Sequence, residues 1–146
     1  MLIGAGTIVN TEQAARAIDA GAKFQVSPGF SRSVTEFSLK HNILIFPGTC
    51  TPTELMAAME YQLQVVKFFP AKQSGGLDTI KALAAPFPTM KFMPTGGINA
   101  SNIREFLSFD KIIACGGSWM VKDSLISAGN FTEIQKLTSE AVHLVH

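Results

Sequence analysis

One unit recurs six times along these 146 residues. A short apolar run rich in β-branched or aromatic residues leads into a Gly/Pro/Ser/Thr cluster, and a helical stretch follows. The runs read as strands at Leu2–Gly4, Phe24–Ser27, Ile43–Phe46, Val65–Phe69, Lys91–Met93 and Lys111–Cys115. Helices are predicted over 11–20, 31–40, 52–60, 76–85, 100–108, 120–127 and 132–145. Roughly 24 residues per unit suits tight βα units and a parallel sheet. Two architectures accommodate six such units. One is an open doubly wound sheet. The other is part of an eight-unit barrel, which needs at least ~200 residues, so this chain is about two units short.

Local signals punctuate the pattern. Thr51-Pro52-Thr53-Glu54 is a capping box with proline at the first helical position, and Asn10-Thr11-Glu12-Gln13 is a weaker one. Gly21 and Asn42 stand where a helix should end in a left-handed turn. Leu55, Met56 and Met59 have helical spacing and are expected in the core.

Composition removes several classes. With 47% hydrophobic and 16% charged residues, the chain is globular, one domain over 1–146. A net charge of +1 gives no reason to expect nucleic acid or an anionic membrane. Gly, Pro and Lys interrupt every apolar run before a membrane span of ~18 residues. The opening residues carry no leader pattern, so a cytoplasmic chain is expected. Cys50 and Cys115 match no metal spacing and read as reduced structural thiols. His41, His143 and His146 read as solvated groups.

In either architecture a ligand sits beyond the carboxyl ends of the strands. All six junctions there carry Gly or Pro, which let a ligand approach the backbone. Lys67 is the outlier. It lies in Val65-Val66-Lys67-Phe68-Phe69, whereas Lys23, Lys91 and Lys111 open their strands, where an ammonium reaches water. Lysine is almost never fully buried without a partner, and burial favours the neutral, nucleophilic amine. Such an amine can form a Schiff base with a carbonyl substrate, the alternative being a lysine that snorkels at a sheet edge. Gly96-Gly97-Ile98-Asn99 and Gly116-Gly117-Ser118 offer backbone N–H groups to an anion, with a helix start behind the first. No acid is expected at a strand carboxyl end, and no Ser-His-Asp set, Cys-His pair or metal cluster is present in the sequence pattern.

Gly4-Ala5-Gly6-Thr7, Ser27-Pro28-Gly29, Lys67-Phe68-Phe69-Pro70-Ala71, Pro94-Thr95-Gly96-Gly97-Ile98 and Gly116-Gly117-Ser118-Trp119 resemble, in order and spacing, the bacterial 2-keto-3-deoxy-6-phosphogluconate (KDPG) / 4-hydroxy-2-oxoglutarate aldolases. The resemblance is read as covering the C-terminal two-thirds of that family's domain. It implies a class I aldolase on a (β/α)8 TIM barrel, here incomplete with the first two units missing, usually a homotrimer and acting without a metal or cofactor. The implied reaction cleaves KDPG or 4-hydroxy-2-oxoglutarate to pyruvate and an aldehyde. It makes Lys67 the Schiff-base lysine and Thr7 the holder of the pyruvate carboxylate. Pro28, Phe69 and Thr95 line the pyruvyl pocket, and Gly96, Gly97, Gly117 and Ser118 grip phosphate. The family's second strand supplies a proton-moving Glu and a nearby carboxylate-binding Arg, neither with a counterpart here, and Lys72 stands where the family often has Glu. Weak or no turnover by this chain alone is therefore expected. The alternative is a non-catalytic partial barrel that binds a phosphate or keto acid, or joins another chain through open sheet edges. A weaker reading is another phosphate-binding barrel of the phosphosugar isomerase or thiamine-phosphate synthase type.

Overall fold

A computed structural model describes residues 2–145. The elements alternate: α1 (Thr11–Asp19), β1 (Phe24–Val26), α2 (Arg32–Lys40), β2 (Leu44–Phe46), β3 (Gly48–Thr49), α3 (Pro52–Glu60), β4 (Val65–Phe68), α4 (Gly76–Ala84), β5 (Lys91–Pro94), α5 (Ile103–Leu107), α6 (Asp123–Ser127) and α7 (Phe131–Val145). Every pairing is parallel, β1 with β2 and β3 with β4 with β5. β2 and β3 are one strand interrupted at Pro47, which has no N–H to give to the ladder. The Pro47 carbonyl still accepts from the Lys67 N–H at 2.9 Å.

The outermost predicted strands are thinner than expected. In place of Leu2–Gly4 there is a single parallel bridge, Ala5 to Gln25, and Lys111–Cys115 reduces to bridges Phe92–Ile112 and Thr95–Gly116. Backbone bonds still tie both segments to their neighbours, Val26 N–H to Ala5 O at 2.9 Å and Gly116 N–H to Pro94 O at 2.9 Å. Each is hydrogen-bonded as a strand on one side only among the described residues, which explains the weak pairing. Counting them, six parallel staves lie side by side in chain order. A doubly wound sheet would reverse its order at a switch point, and this one does not.

Alternation along the staves separates two faces. Val66 and Phe68 of β4, Phe92 of β5 and Ile112 point toward the helices, where they pack with Leu55, Ala58, Leu77, Ile80, Ile103 and Phe106. Ile45, Ile8, Ala14 and Val34 form a smaller cluster under α1 and α2. The opposite face carries Val65, Lys67 and Met93, with Gly48, Lys67 and Met93 in register across three strands. The same alternation places Phe24 and Phe46 there.

The helix signals hold locally. The Thr51 box forms as read, with Glu54 N–H donating to Thr51 Oγ1 and the Glu54 carboxylate accepting from the Thr51 N–H at 2.9 Å. Asn10 caps α1 by accepting from Gln13 N–H at 2.8 Å, while Gln13 Oε1 accepts from Val9 N–H. Gly21 and Asn42 take left-handed φ of +88° and +56°. The Met stripe is corrected: Leu55 is fully buried, but Met56 is 60% and Met59 43% exposed, and Ala58 packs inward instead. That helix is apolar around most of its circumference, so spacing alone could not choose between 55/59 and 55/58. Helix 100–108 shortens to Ile103–Leu107, because Asn99, Ser101 and Asn102 hydrogen-bond one another and the local backbone. Helix 120–127 begins only at Asp123. Cys50 and Cys115 are free and half-buried, and His41 and His143 are exposed, each bonded to a carbonyl one turn back. His146 lies outside the described residues. Among the described residues no helix is long and apolar enough to cross a membrane.

Candidate active site

Lys67 stands on the third residue of β4, on the face turned away from the helices. It is 8% exposed, and its Nζ lies 4.2 Å from the centroid of the Phe69 ring, two residues along the same face. A cation over a ring face is favourable, and Phe69 offers the ammonium little else. No carboxylate pairs with it: the ion pair among the described residues is Arg32–Glu60, at the surface. Burial alone pushes the Lys67 ammonium below the ordinary lysine range. A primary amine held this way spends more time unprotonated, as a nucleophile requires.

The next residues carry the pairing past the strand ends. Thr95 N–H donates to Phe68 O at 3.0 Å, Ala71 N–H to Thr95 O at 2.8 Å, and Lys72 N–H to Gly96 O at 3.1 Å. The Phe69–Pro70 peptide between them is cis. Lys67, Phe69 and Thr95 are thus drawn together at one end of two adjacent staves. Gly96 closes on them, since a Cβ there would stand 3.5 Å from the Phe69 ring. Its φ of +100° and that of Gly97, +77°, suit glycine alone. Gly116, paired with Thr95, opens the neighbouring loop that holds Gly117 and Ser118.

Pro28 reaches the group through Gly48. A Cβ on Gly48 would collide with the Pro28 carbonyl and stand 2.8 Å from the Gly29 nitrogen. Gly48 is also the register partner of Lys67. Its role escapes the sequence reading, although a glycine inside a strand does signal a close backbone approach. Thr7 has different surroundings. It is exposed at φ +59° and lines a depression against α1 with Gln13 and Arg16, without a hydrogen bond to the Lys67 group.

One expectation about acids is corrected. The Glu54 carboxylate does reach the carboxyl end of a strand, accepting from the N–H of Cys50, which follows β3, and from Thr51 N–H and Oγ1 at 2.9, 2.9 and 2.7 Å. Burial pushes its carboxyl upward, but these hydrogen bonds together outweigh it, so it titrates below the ordinary range. It stays ionised, occupied by the cap, and forms no ion pair with Lys67. Among the described residues no three His, Cys, Asp or Glu side chains are placed to hold a metal.

The family model for KDPG and KHG aldolase matches residues 1–137. The chain belongs to the KDPG/KHG aldolase family. A 2-dehydro-3-deoxy-phosphogluconate aldolase of Treponema pallidum is 43% identical over 145 residues, 99% of this chain and 69% of that protein. A solved KDPG aldolase from Legionella pneumophila, holding pyruvate as a covalent carbinolamine, superposes with a TM-score of 0.90 at 39% identity, over 93% of this chain and 66% of that one. The KDPG aldolase of Zymomonas mobilis with 3-phosphoglycerate gives 0.89 at 33%, over 96% and 66%. This aldolase-family chain thus spans about two thirds of the length of the relatives it matches. The likeness takes in 93–99% of this chain and 66–69% of those relatives.

Proposed function

We propose that this chain binds a 2-keto acid as a Schiff base on Lys67. The supporting observation is the buried, carboxylate-free Lys67 amine at the carboxyl end of β4, over Phe69. The Nζ lone pair adds to the keto carbon, giving a carbinolamine. Loss of its hydroxyl with a proton, as water, leaves the imine. In the cleavage direction the C4 hydroxyl gives up its proton, the C3–C4 bond breaks with its electron pair moving toward the imine nitrogen, and the C4 fragment departs as an aldehyde. The resulting enamine takes a proton at C3, and water releases pyruvate. Phe69 and Pro28 supply apolar walls for the pyruvyl group and Thr95 a hydroxyl. Gly96, Gly97, Gly117 and Ser118 take the phosphate of a KDPG-like substrate.

Every proton in that sequence needs a carrier. None of the described carboxylates pairs with Lys67, and Glu54 is held in its cap. Adduct formation is therefore retained while turnover by this chain alone is weak. The six sequential staves are read as six of the eight in a (β/α)8 barrel, completed by two further units outside this chain. The share of the relatives' length that the chain spans supports this. So does Ile113, 48% exposed on the last stave beside an apolar cleft of about 470 Å3.

Reduction with borohydride in the presence of pyruvate tests the reading. The native chain should gain the mass of one reduced pyruvyl group, and Lys67→Met should gain none. Equal labelling of both would overturn the assignment to Lys67. Release of pyruvate from KDPG at an ordinary enzymatic rate by the purified chain would overturn the missing-shuttle part.

A further inference from the structure

We infer that Met93 is a positioning residue for the Lys67 amine: its side chain forms the apolar wall on the β5 flank of Lys67 and holds water off the nitrogen. The inference deepens the Schiff-base reading above and rests on it. Lys67 and Met93 are register partners on the face turned away from the helices. Adjacent strands lie about 4.8 Å apart, so side chains in register on one face run alongside each other. Met93 is half-buried yet belongs to neither apolar cluster under the helices, whereas Phe92 and Pro94 on either side of it are fully buried. Its cover comes from the Lys67 face.

The other sides of Lys67 are already closed. The Phe69 ring lies 4.2 Å from Nζ, and Val65 stands two residues back on the same face. On the β3 flank Gly48 has no side chain, and the Pro28 carbonyl fills the space beside it. Met93 is therefore the side chain that decides how wet the amine is. An unbranched thioether follows the stem of a lysine without offering the ammonium a strong acceptor. Charged neighbours do not take this role. β2 and β3 carry none, and on β5 Lys91 is exposed at the strand start, where water and salt screen it. Lys72, beyond the end of β4, lies along Gly97. Glu54 and Glu60 of α3 and Asp78 and Lys81 of α4 lie across the sheet, and none forms an ion pair with Lys67.

Competitive acetylation of the full chain with acetic anhydride over a range of pH, mapped by mass spectrometry, reads the titration of Lys67 without any keto acid. The exposed Lys23 is the internal reference. Met93→Ala and Met93→Gln should raise the midpoint of Lys67 labelling by about one pH unit, so that about tenfold less of the neutral amine is present at neutral pH. Met93→Leu, which keeps the volume and the dryness, should leave it in place. The Lys23 profile should be the same in all four chains. The rate of pyruvate trapping at neutral pH should fall with the neutral amine in Met93→Ala and Met93→Gln alone. Glutamine fills the space of methionine, so an unchanged Lys67 midpoint in Met93→Gln would overturn the inference, while trapping by the native chain would keep the Schiff-base reading in place. Absence of pyruvate trapping by the native chain would overturn that reading, and with it the role given to Met93, even with the midpoints shifted.

Discussion

Replacing Gly48 by alanine tests how the site is built. The new methyl would be driven into the Pro28 carbonyl, with the Gly29 nitrogen only 2.8 Å away. Both obstacles are backbone, so no rotamer change relieves them. Overpacking of this kind costs about 1–3 kcal/mol, and rigid neighbours put Gly48→Ala toward the upper end. At roughly 2.1 cal/mol/K per residue, unfolding entropy for a chain of this size is about 0.3 kcal/mol/K, so the midpoint should fall by roughly 5–10 °C. Gly29→Ala is the matched control, since a Cβ there meets nothing within 4 Å. Because Gly48 pairs in register with Lys67, the strain must shift either the Pro28 turn or the stave carrying the amine. Thermal unfolding followed by circular dichroism gives the first readout, and the rate of pyruvate trapping the second. A Gly48→Ala chain melting within 1 °C of the native one and trapping pyruvate at the native rate would refute this packing.

Three other outcomes follow from the same geometry. Lys67→Met should stabilise the fold at neutral pH, by about 1.4 kcal/mol for each unit of pKa depression, because the folded chain must bury an ammonium that the unfolded chain hydrates. Between the lowered folded pKa and the ordinary lysine range the unfolded state binds more protons, so native stability rises with pH and the advantage of Lys67→Met shrinks; denaturant midpoints at several pH values check this. Gln25→Leu should destabilise by about 1–3 kcal/mol in urea unfolding, since the buried Gln25 donates to Ala14 O at 2.8 Å and accepts from Ser38 Oγ at 2.9 Å, joining α1 to α2. The Cys115 thiol, pushed by burial to about 11, should alkylate slowly at pH 8 and faster as pH climbs toward that value, measured by mass spectrometry with Cys50→Ser as background.

Much of this arrangement is legible in the chain itself. The inner strands and α1 to α4 follow from apolar runs, caps and glycines whose causes are local. The Lys67 anomaly is visible because a charged residue among four apolar neighbours has few structural excuses. What resists reading is decided at a distance. The outer staves thin to isolated bridges because each is paired on one side, and pairing is not written in a strand's own residues. The exposed side of α3 depends on which face β4 covers, and Met56 and Met59 look like core until that is known. The capping-box pattern predicts that Glu54 folds back on Thr51, but no local signal extends its carboxylate to the Cys50 N–H at the strand end. The passage of Lys72 across Gly97 is a contact between loops 25 residues apart, beyond any local signal.

The central claim is that Lys67 is the amine that meets the carbonyl. A crystal of the chain soaked in pyruvate tests it most directly. The account predicts continuous density from Lys67 Nζ to the keto carbon, with the methyl group against Phe69. A free Lys67 amine, with pyruvate bonded to another lysine or bound without a covalent link, would contradict it.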